Sequence, residues 1–155
     1  MAIQKDLSTL MCIEEARDIS SRFKDLDVGI IALNAGCLCH GPFFELKDFM
    51  IEKSMNMNVL QPIYLVKAFS DNLTSKRESG KRSALIFTGS TLGTNPYAGA
   101  LPYSAGKAFI RFLAVGLNYE FEQRVDSLAF NCGLVTTKLG PKKTSFFNIS
   151  PKHAA

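Results

Sequence analysis

Val28-Gly29-Ile30-Ile31-Ala32-Leu33-Asn34-Ala35-Gly36 is the stretch on which the fold turns. From Val28 to Leu33 the run is apolar or glycine without alternation, the pattern of a strand covered on both faces in a parallel sheet. Asn34-Ala35-Gly36 stops it. Upstream, Ile13 to Phe23 carries helical periodicity. Downstream, Leu46 to about Leu73 carries a long helical pattern that Pro62 should break or kink. A polar connection, Thr74 to Arg82, leads to a second core strand at Ala84 to Phe87, and a third is expected at about Ser127 to Asn131. Between these two strands a helix should run from Pro102, which suits a first helical turn, to about Gln123. Phe109, Phe112, Leu113, Leu117 and Phe121 form its wide apolar stripe. Alternating strands and helices specify an α/β parallel sheet.

The chain has 155 residues, 46% hydrophobic and 21% charged, which fits one soluble globular domain spanning residues 1–155. The net charge of +4 is scattered apart from small clusters such as Lys142-Lys143, so no nucleic-acid-binding stripe is expected. It supports a mild preference for anionic small molecules. No apolar stretch approaches a bilayer span, and Met-Ala-Ile-Gln-Lys-Asp at the start lacks the core of a signal peptide. Cys12, Cys37, Cys39 and Cys132 are expected to be reduced thiols. Cys37-Leu-Cys39-His40 lacks the further ligands of a tetrahedral site, since His153 is the only other histidine, so no metal is expected.

In an open parallel sheet, ligands sit beyond the carboxyl ends of the strands. Those ends deliver Asn34-Ala35-Gly36, the loop from Thr88 through Ser90 to Gly99, and Cys132-Gly-Leu-Val-Thr-Thr137. After the second loop come Tyr103 and Lys107, four apart and so on one helix face. An ammonium beside a phenol favours the phenolate, which is expected to draw the Tyr103 pKa toward neutrality and make it a general acid or base.

In order and spacing these segments resemble the short-chain dehydrogenase/reductase family, from about Asp6 to Thr137. Leu33-Asn-Ala-Gly36 resembles its Asn-Asn-Ala-Gly motif, and Tyr103-Ser-Ala-Gly-Lys107 its Tyr-x-x-x-Lys. Ser90 stands thirteen residues before Tyr103, where the family has its catalytic serine. Asn58, within Met55-Asn-Met-Asn-Val-Leu60, falls at the helix-embedded asparagine, with Asn56 the alternative register. Val135-Thr-Thr137 resembles the Val-x-Thr that follows the sixth strand, although Cys132 replaces that motif's proline. Asp6-Leu7 resembles the pair at the end of the third strand. Asn56-Met-Asn-Val-Leu, Thr136-Thr-Lys-Leu139 and Ser150-Pro151 are similar to the 17β-hydroxysteroid dehydrogenase and very-long-chain 3-oxoacyl-CoA reductase subgroup.

The resemblance implies a partial Rossmann-like doubly wound parallel sheet lacking its first two strands. It implies a catalytic set of Asn58, Ser90, Tyr103 and Lys107. Cofactor contacts would come from Asp6, Leu7, Asn34, Ala35, Gly36, Tyr103, Lys107, Val135 and Thr137. The cofactor is NADP or NAD, with NADP favoured by the subgroup. The implied substrate is a small-molecule ketone or secondary alcohol, a steroid or 3-oxoacyl chain by the same analogy; Phe43, Phe44, Phe146 and Phe147 flank the expected mouth, though phenylalanines near a strand end more often belong to the core. A homo-oligomer through the long helices is implied as well. Localisation is expected to be cytoplasmic or at the endoplasmic reticulum, with membrane association only in a full-length parent.

The sequence contains no glycine-rich turn of the kind that holds a pyrophosphate. Met1 falls inside what would be the third strand, and Ala155 precedes the expected last helix and strand. Three consequences are expected: an unpaired apolar edge at Val28 to Leu33, weak dinucleotide binding with negligible turnover, and aggregation or need of a partner. The competing expectation is a non-catalytic scaffold that pairs through that edge.

Overall fold

The computed structural model describes residues 2–75, 80–121, 124–135 and 148–149. The deciding run forms strand β1, Ile30–Leu33. It starts two residues late because the Val28 N–H turns back to Leu26 O at 3.0 Å. β2 is Ser83–Thr88 and β3 is Val125–Phe130. The three form a parallel sheet in the order β1-β2-β3, with Ile30 beside Ala84 and Leu85 beside Ser127. Helix α1, Ile13–Ser21, precedes β1, and α5, Leu101–Phe121, joins β2 to β3.

The long helical pattern between β1 and β2 divides into α2 (Asp48–Met55), a π-helical turn (Asn56–Leu60), α3 (Gln61–Ala68) and α4 (Ser70–Thr74). The disturbance expected at Pro62 falls one turn earlier. Proline has no N–H for the Asn58 carbonyl, and its ring crowds that carbonyl. The chain widens ahead of it, so that the Gln61 N–H reaches back five residues to Asn56 O. A second break comes at Phe69, which leaves helical geometry at φ −98°, ψ 4°.

The core lies between the sheet and one helical layer. Leu33, Leu85, Phe87 and Val125 of the strands meet Val66, Phe69 and Leu73 of the α3–α4 region and Ile110, Ala114 and Leu117 of α5. Ile19 and Phe23 close it from the α1 side, with the Phe23 and Phe69 rings 5.9 Å apart. The opposite sheet face shows Ile30, Leu128 and Phe130 to solvent at 64%, 58% and 49% exposure. Among the described residues, then, one of the two helical layers of a doubly wound sheet is present.

Hydrogen-bond phase shows what each edge offers. Ala84 N–H donates to Gly29 O at 2.9 Å, so Ile30 and Ala32 direct their backbone groups away from β2. β1 is therefore an open, apolar edge. On β3, Arg124 O and Phe130 O accept from β2 and the loop after it, which turns the Ser127 backbone outward. Asn118 of α5 clasps it: its Nδ2 donates to Ser127 O at 2.6 Å and its Oδ1 accepts from Ser127 N at 2.7 Å.

Three further sequence expectations are corrected. Phe112 leaves the buried stripe and is 83% exposed, with Val115 and Tyr119 beside it, whereas Phe109, Leu113, Leu117 and Phe121 pack inward. Residues 2–6 form no strand; no described strand lies beside them, and Asp6 instead caps the short turn Leu7–Thr9. A small parallel pair, β4 (Leu134–Val135) with β5 (Asn148–Ile149), forms where none was expected.

One glycine fixes the loop after β2 against α5. A Cβ on Gly93 would lie 2.7 Å from Lys107 C and 2.9 Å from Lys107 O and Ala108 N, backbone atoms that cannot swing aside. Gly93→Ala is expected to destabilise the chain by about 1–3 kcal/mol in urea unfolding. An unchanged midpoint would show that the loop does not rest on the helix.

Candidate active site

Lys107 organises the carboxyl end of the sheet. It is buried at 4% exposure, and its Nζ donates to Thr88 O, the last residue of β2, at 2.6 Å. A Cβ added at Gly36 would stand 3.3 Å from that Nζ and 2.9 Å from Asn58 Oδ1. The end of β1, the π-helical turn and α5 therefore meet at one point. Burial pulls the Lys107 pKa below its ordinary value, while the Cys132 and Cys37 thiols act upward.

Asn58 owes its place to the widened turn. Its Nδ2 donates to Cys37 O at 2.8 Å and Ser54 O at 2.9 Å, fastening the turn to the loop after β1. Both donors are used, yet Oδ1 is buried with no partner, the kind of atom a bridging water satisfies. The alternative register fails on geometry, since Asn56 Nδ2 reaches away to Met11 Sδ at 3.1 Å. Gly106 lets α5 approach, because a Cβ there would meet Asn58 Cβ at 3.0 Å.

Ser90 is nearly buried and caps the turn Thr91–Gly93, its Oγ accepting from Leu92 N at 3.2 Å. Cys132 O accepts from Thr91 N at 3.1 Å and joins that turn to the loop after β3. Tyr103 is half-buried one helical turn before Lys107, whose ammonium stands 5.6 Å from the centre of its ring. The expectation of a phenol drawn toward neutrality is not met. Burial pushes the Tyr103 pKa up, the Ser90 hydroxyl pulls it down by hydrogen bonding, and the Cys132 and Cys37 thiols add to the rise. Desolvation outweighs the neighbours.

The remaining expected residues scatter. Asn34 Oδ1 accepts from Thr88 Oγ1 at 2.8 Å, tying the ends of β1 and β2, and Ala35 and Gly36 follow it into the site. Asp6 is exposed and its Oδ1 is taken by Ser8 N and Oγ, at 2.9 and 2.8 Å; those bonds hold its pKa down. Leu7 opens the same turn. Val135 lies in β4, while Thr137, Phe146 and Phe147 fall outside the described residues. Sequence reasoning missed Thr88, whose carbonyl holds Lys107, and Gly93 and Gly106, whose missing Cβ atoms admit the helix. No spacing marks a carbonyl, and glycines inside a loop and a helix carry no signal without their neighbours.

The geometry fits part of a nicotinamide dinucleotide. Bare Gly36 lets the loop after β1 close directly on Lys107, to which the resemblance assigns the ribose hydroxyls, and on Asn58, where a Cβ would collide. Asp6 caps the short turn that Leu7 opens, and its Oδ1 is already taken by Ser8.

The family description "short chain dehydrogenase" matches residues 1–146. A short-chain dehydrogenase of Sphingobium yanoikuyae in complex with NADPH is 26% identical at a TM-score of 0.81, covering 99% of this chain and 60% of that one. The bulky-bulky ketone specific alcohol dehydrogenase of Comamonas testosteroni is 26% identical at 0.75, covering 94% and 55%. A Beutenbergia cavernae protein assigned as an NAD(P)-dependent gluconate 5-dehydrogenase, with bound NADP, is 20% identical at 0.80, covering 90% and 54%, a likeness of fold alone. The chain spans little more than half the length of these proteins. With its motifs gathered at the carboxyl end of a parallel sheet and the match extending over nearly its whole length, the chain belongs to the short-chain dehydrogenase family.

Proposed function

We propose that this chain is the carbonyl-chemistry portion of an NAD(P)-dependent oxidoreductase that reduces a ketone or oxidises a secondary alcohol. The observation that carries this is the meeting of Lys107 Nζ, bare Gly36 and the orphaned Asn58 Oδ1 one helical turn from Tyr103. When bound, the dinucleotide supplies the hydride. Tyr103 gives its proton to the carbonyl oxygen, and Ser90 Oγ hydrogen-bonds the same oxygen as charge builds there, so the pair stabilises the transition state above the ground state. Lys107 holds ribose hydroxyls. Asn58 Oδ1 accepts from a water that relays protons to Lys107. The NADPH of the Sphingobium enzyme supports NADP as cofactor. The subgroup resemblance supports a steroid or 3-oxoacyl substrate, and the specificity of the Comamonas enzyme for bulky-bulky ketones supports a ketone.

With no glycine-rich pyrophosphate turn in these 155 residues, the chain should use NADPH no better than a truncated donor. Offered 1-benzyl-1,4-dihydronicotinamide and an activated aryl ketone, it is expected to reduce the ketone slowly above background, and Tyr103→Phe to remove that excess. Robust turnover of NADPH would contradict the expected weak dinucleotide binding. Identical rates for Tyr103→Phe and the unmodified chain with either donor would sink the catalytic reading and favour the scaffold, for which the open β1 edge speaks.

The site's protonation has a fixed sign. Lys107 titrates in the folded chain below the 10.5 of a free lysine, so stability rises as pH climbs from the folded pKa toward 10.5. Tyr103 titrates above 10.0, so its contribution is lost as pH rises from there through the folded pKa. Labelled-carbon NMR of both side chains measures this; a Lys107 midpoint at or above 10.5 would show that burial is not the dominant effect.

We also propose self-association through α5, whose Phe112, Val115 and Tyr119 stand exposed on one side while the other side fills the core. A helix apolar on both sides is normally covered on both. In an antiparallel pairing of two copies, Tyr119 faces Ala108 and Phe112 faces Val115, large against small. Sedimentation should show a discrete dimer that Phe112→Glu dissociates and Ile30→Lys, on the bare sheet face, does not. The reverse pattern would assign association to the sheet.

A further inference from the structure

Charge is segregated along the sheet. Residues 28–44, 83–106 and 127–135, which run from each strand into the chain beyond its carboxyl end, contain no Asp, Glu, Lys or Arg in a chain 21% charged. At the amino ends, Asp27 pairs with Lys81 at 3.3 Å, and Arg82 Nε donates to Asp126 Oδ2 at 3.0 Å. Among the described residues, the one cation that follows these uncharged runs into the site is Lys107, which is buried and already bonded to Thr88 O. Lys53 of α2 acts on Asp6 and on the Cys37 thiol. Lys138, Lys142 and Lys143 lie outside the described residues.

The uncharged loops also form one rim. Gly41 N–H donates to Gly99 O at 2.8 Å, joining the loop after β1 to the loop after β2. Both glycines have positive φ, 141° and 81°, where a side chain would strain the junction. Around this link Leu38, Phe43, Tyr97 and Leu101 are 38%, 46%, 51% and 41% exposed. His40 is the one basic side chain of the rim, its ring against Gly99.

Among the described residues, a carboxylate or phosphate leaving water at this rim finds no cation of the rim's own and only Lys107 beyond it, buried and engaged with Thr88 O, whereas an apolar group loses only ordered water. We propose that the site takes a neutral ketone or secondary alcohol with hydrophobic substituents and turns anionic substrates away, with Leu38 and Tyr97 as specificity-determining residues. This rests on the carbonyl-chemistry reading and reverses the preference for anions that net charge alone suggested.

Saturation-transfer NMR on the whole 155-residue chain tests it with three probes of near-equal shape: 4′-isopropylacetophenone, 4-acetylbenzoate and 1-ethyl-4-isopropylbenzene. The neutral ketone should bind at least about tenfold more tightly than the carboxylate. Tyr97→Lys and Leu38→Lys, exposed positions whose folding is checked by circular dichroism, should narrow that ratio by raising 4-acetylbenzoate affinity. Equal or tighter binding of 4-acetylbenzoate by the unmodified chain overturns the proposal, as does failure of all three probes to bind. A different result strikes the carbonyl reading instead: the hydrocarbon binds as well as the ketone and Tyr103→Phe changes nothing, while the charge preference survives.

Discussion

The bond from Lys107 Nζ to Thr88 O is the interaction on which the rest of the site depends. An ammonium at 4% exposure is costly to desolvate, and a charge-assisted bond of 2.6 Å to a strand carbonyl offsets part of that cost. Because Thr88 ends β2, the bond sets α5 at one height on the sheet, and Tyr103 follows one turn away. Close approach then needs surfaces without Cβ atoms. Gly36, Gly93 and Gly106 supply them toward the end of β1, the Ser90 turn and Asn58 respectively.

How much of this could be read from sequence follows from how local each cause is. Val28 to Leu33, Ala84 to Phe87 and the stretch near Ser127 announced strands, since an unbroken apolar run needs nothing but itself to be recognised. Their order needed the pairing. Pro62 announced a broken helix but not its form: the widened turn at Asn56 to Leu60 depends on which carbonyl the ring crowds and which donor finds another. Asn58 was legible by spacing, whereas the bonds that separate it from Asn56 are long-range contacts to Cys37 and Met11. Phe112 was misplaced because α5 is apolar around most of its circumference, and periodicity cannot say which side meets the sheet. The two-residue strands β4 and β5 carry too few residues for any pattern.

The sheet is asymmetric in three ways, each with a separate cause. Among the described residues its amino ends carry ion pairs and its carboxyl ends none, which keeps exposed charge away from the edge where Lys107, Asn58 and Ser90 gather. One face is packed under α1, α3 and α5, while the other presents Ile30, Leu128 and Phe130. One edge is met by the Asn118 amide, while Ile30 and Ala32 leave the other open. Exposed apolar surface of this kind marks where further protein is accommodated, and its location is informative. None of it lies between Lys107, Asn58 and Ser90, all of which are buried, so the chemical centre is enclosed even where the scaffold is not.

The protonation of Tyr103 is set by its burial more than by its neighbours. A phenol raised by burial is protonated at neutral pH, and is therefore equipped to donate to an oxygen on which negative charge develops. Removing a proton from an alcohol demands the opposite form, the phenolate, which the same burial disfavours. Lys107 does not correct this here, because its own pKa is lowered by burial and its ammonium faces the ring and the Thr88 carbonyl. Positive charge, or a hydrogen-bond donor beyond Ser90, would be required at the phenol oxygen before Tyr103 served as a base. The arrangement thus holds Tyr103 in its protonated form, with Ser90 the neighbour that lowers the phenol's pKa.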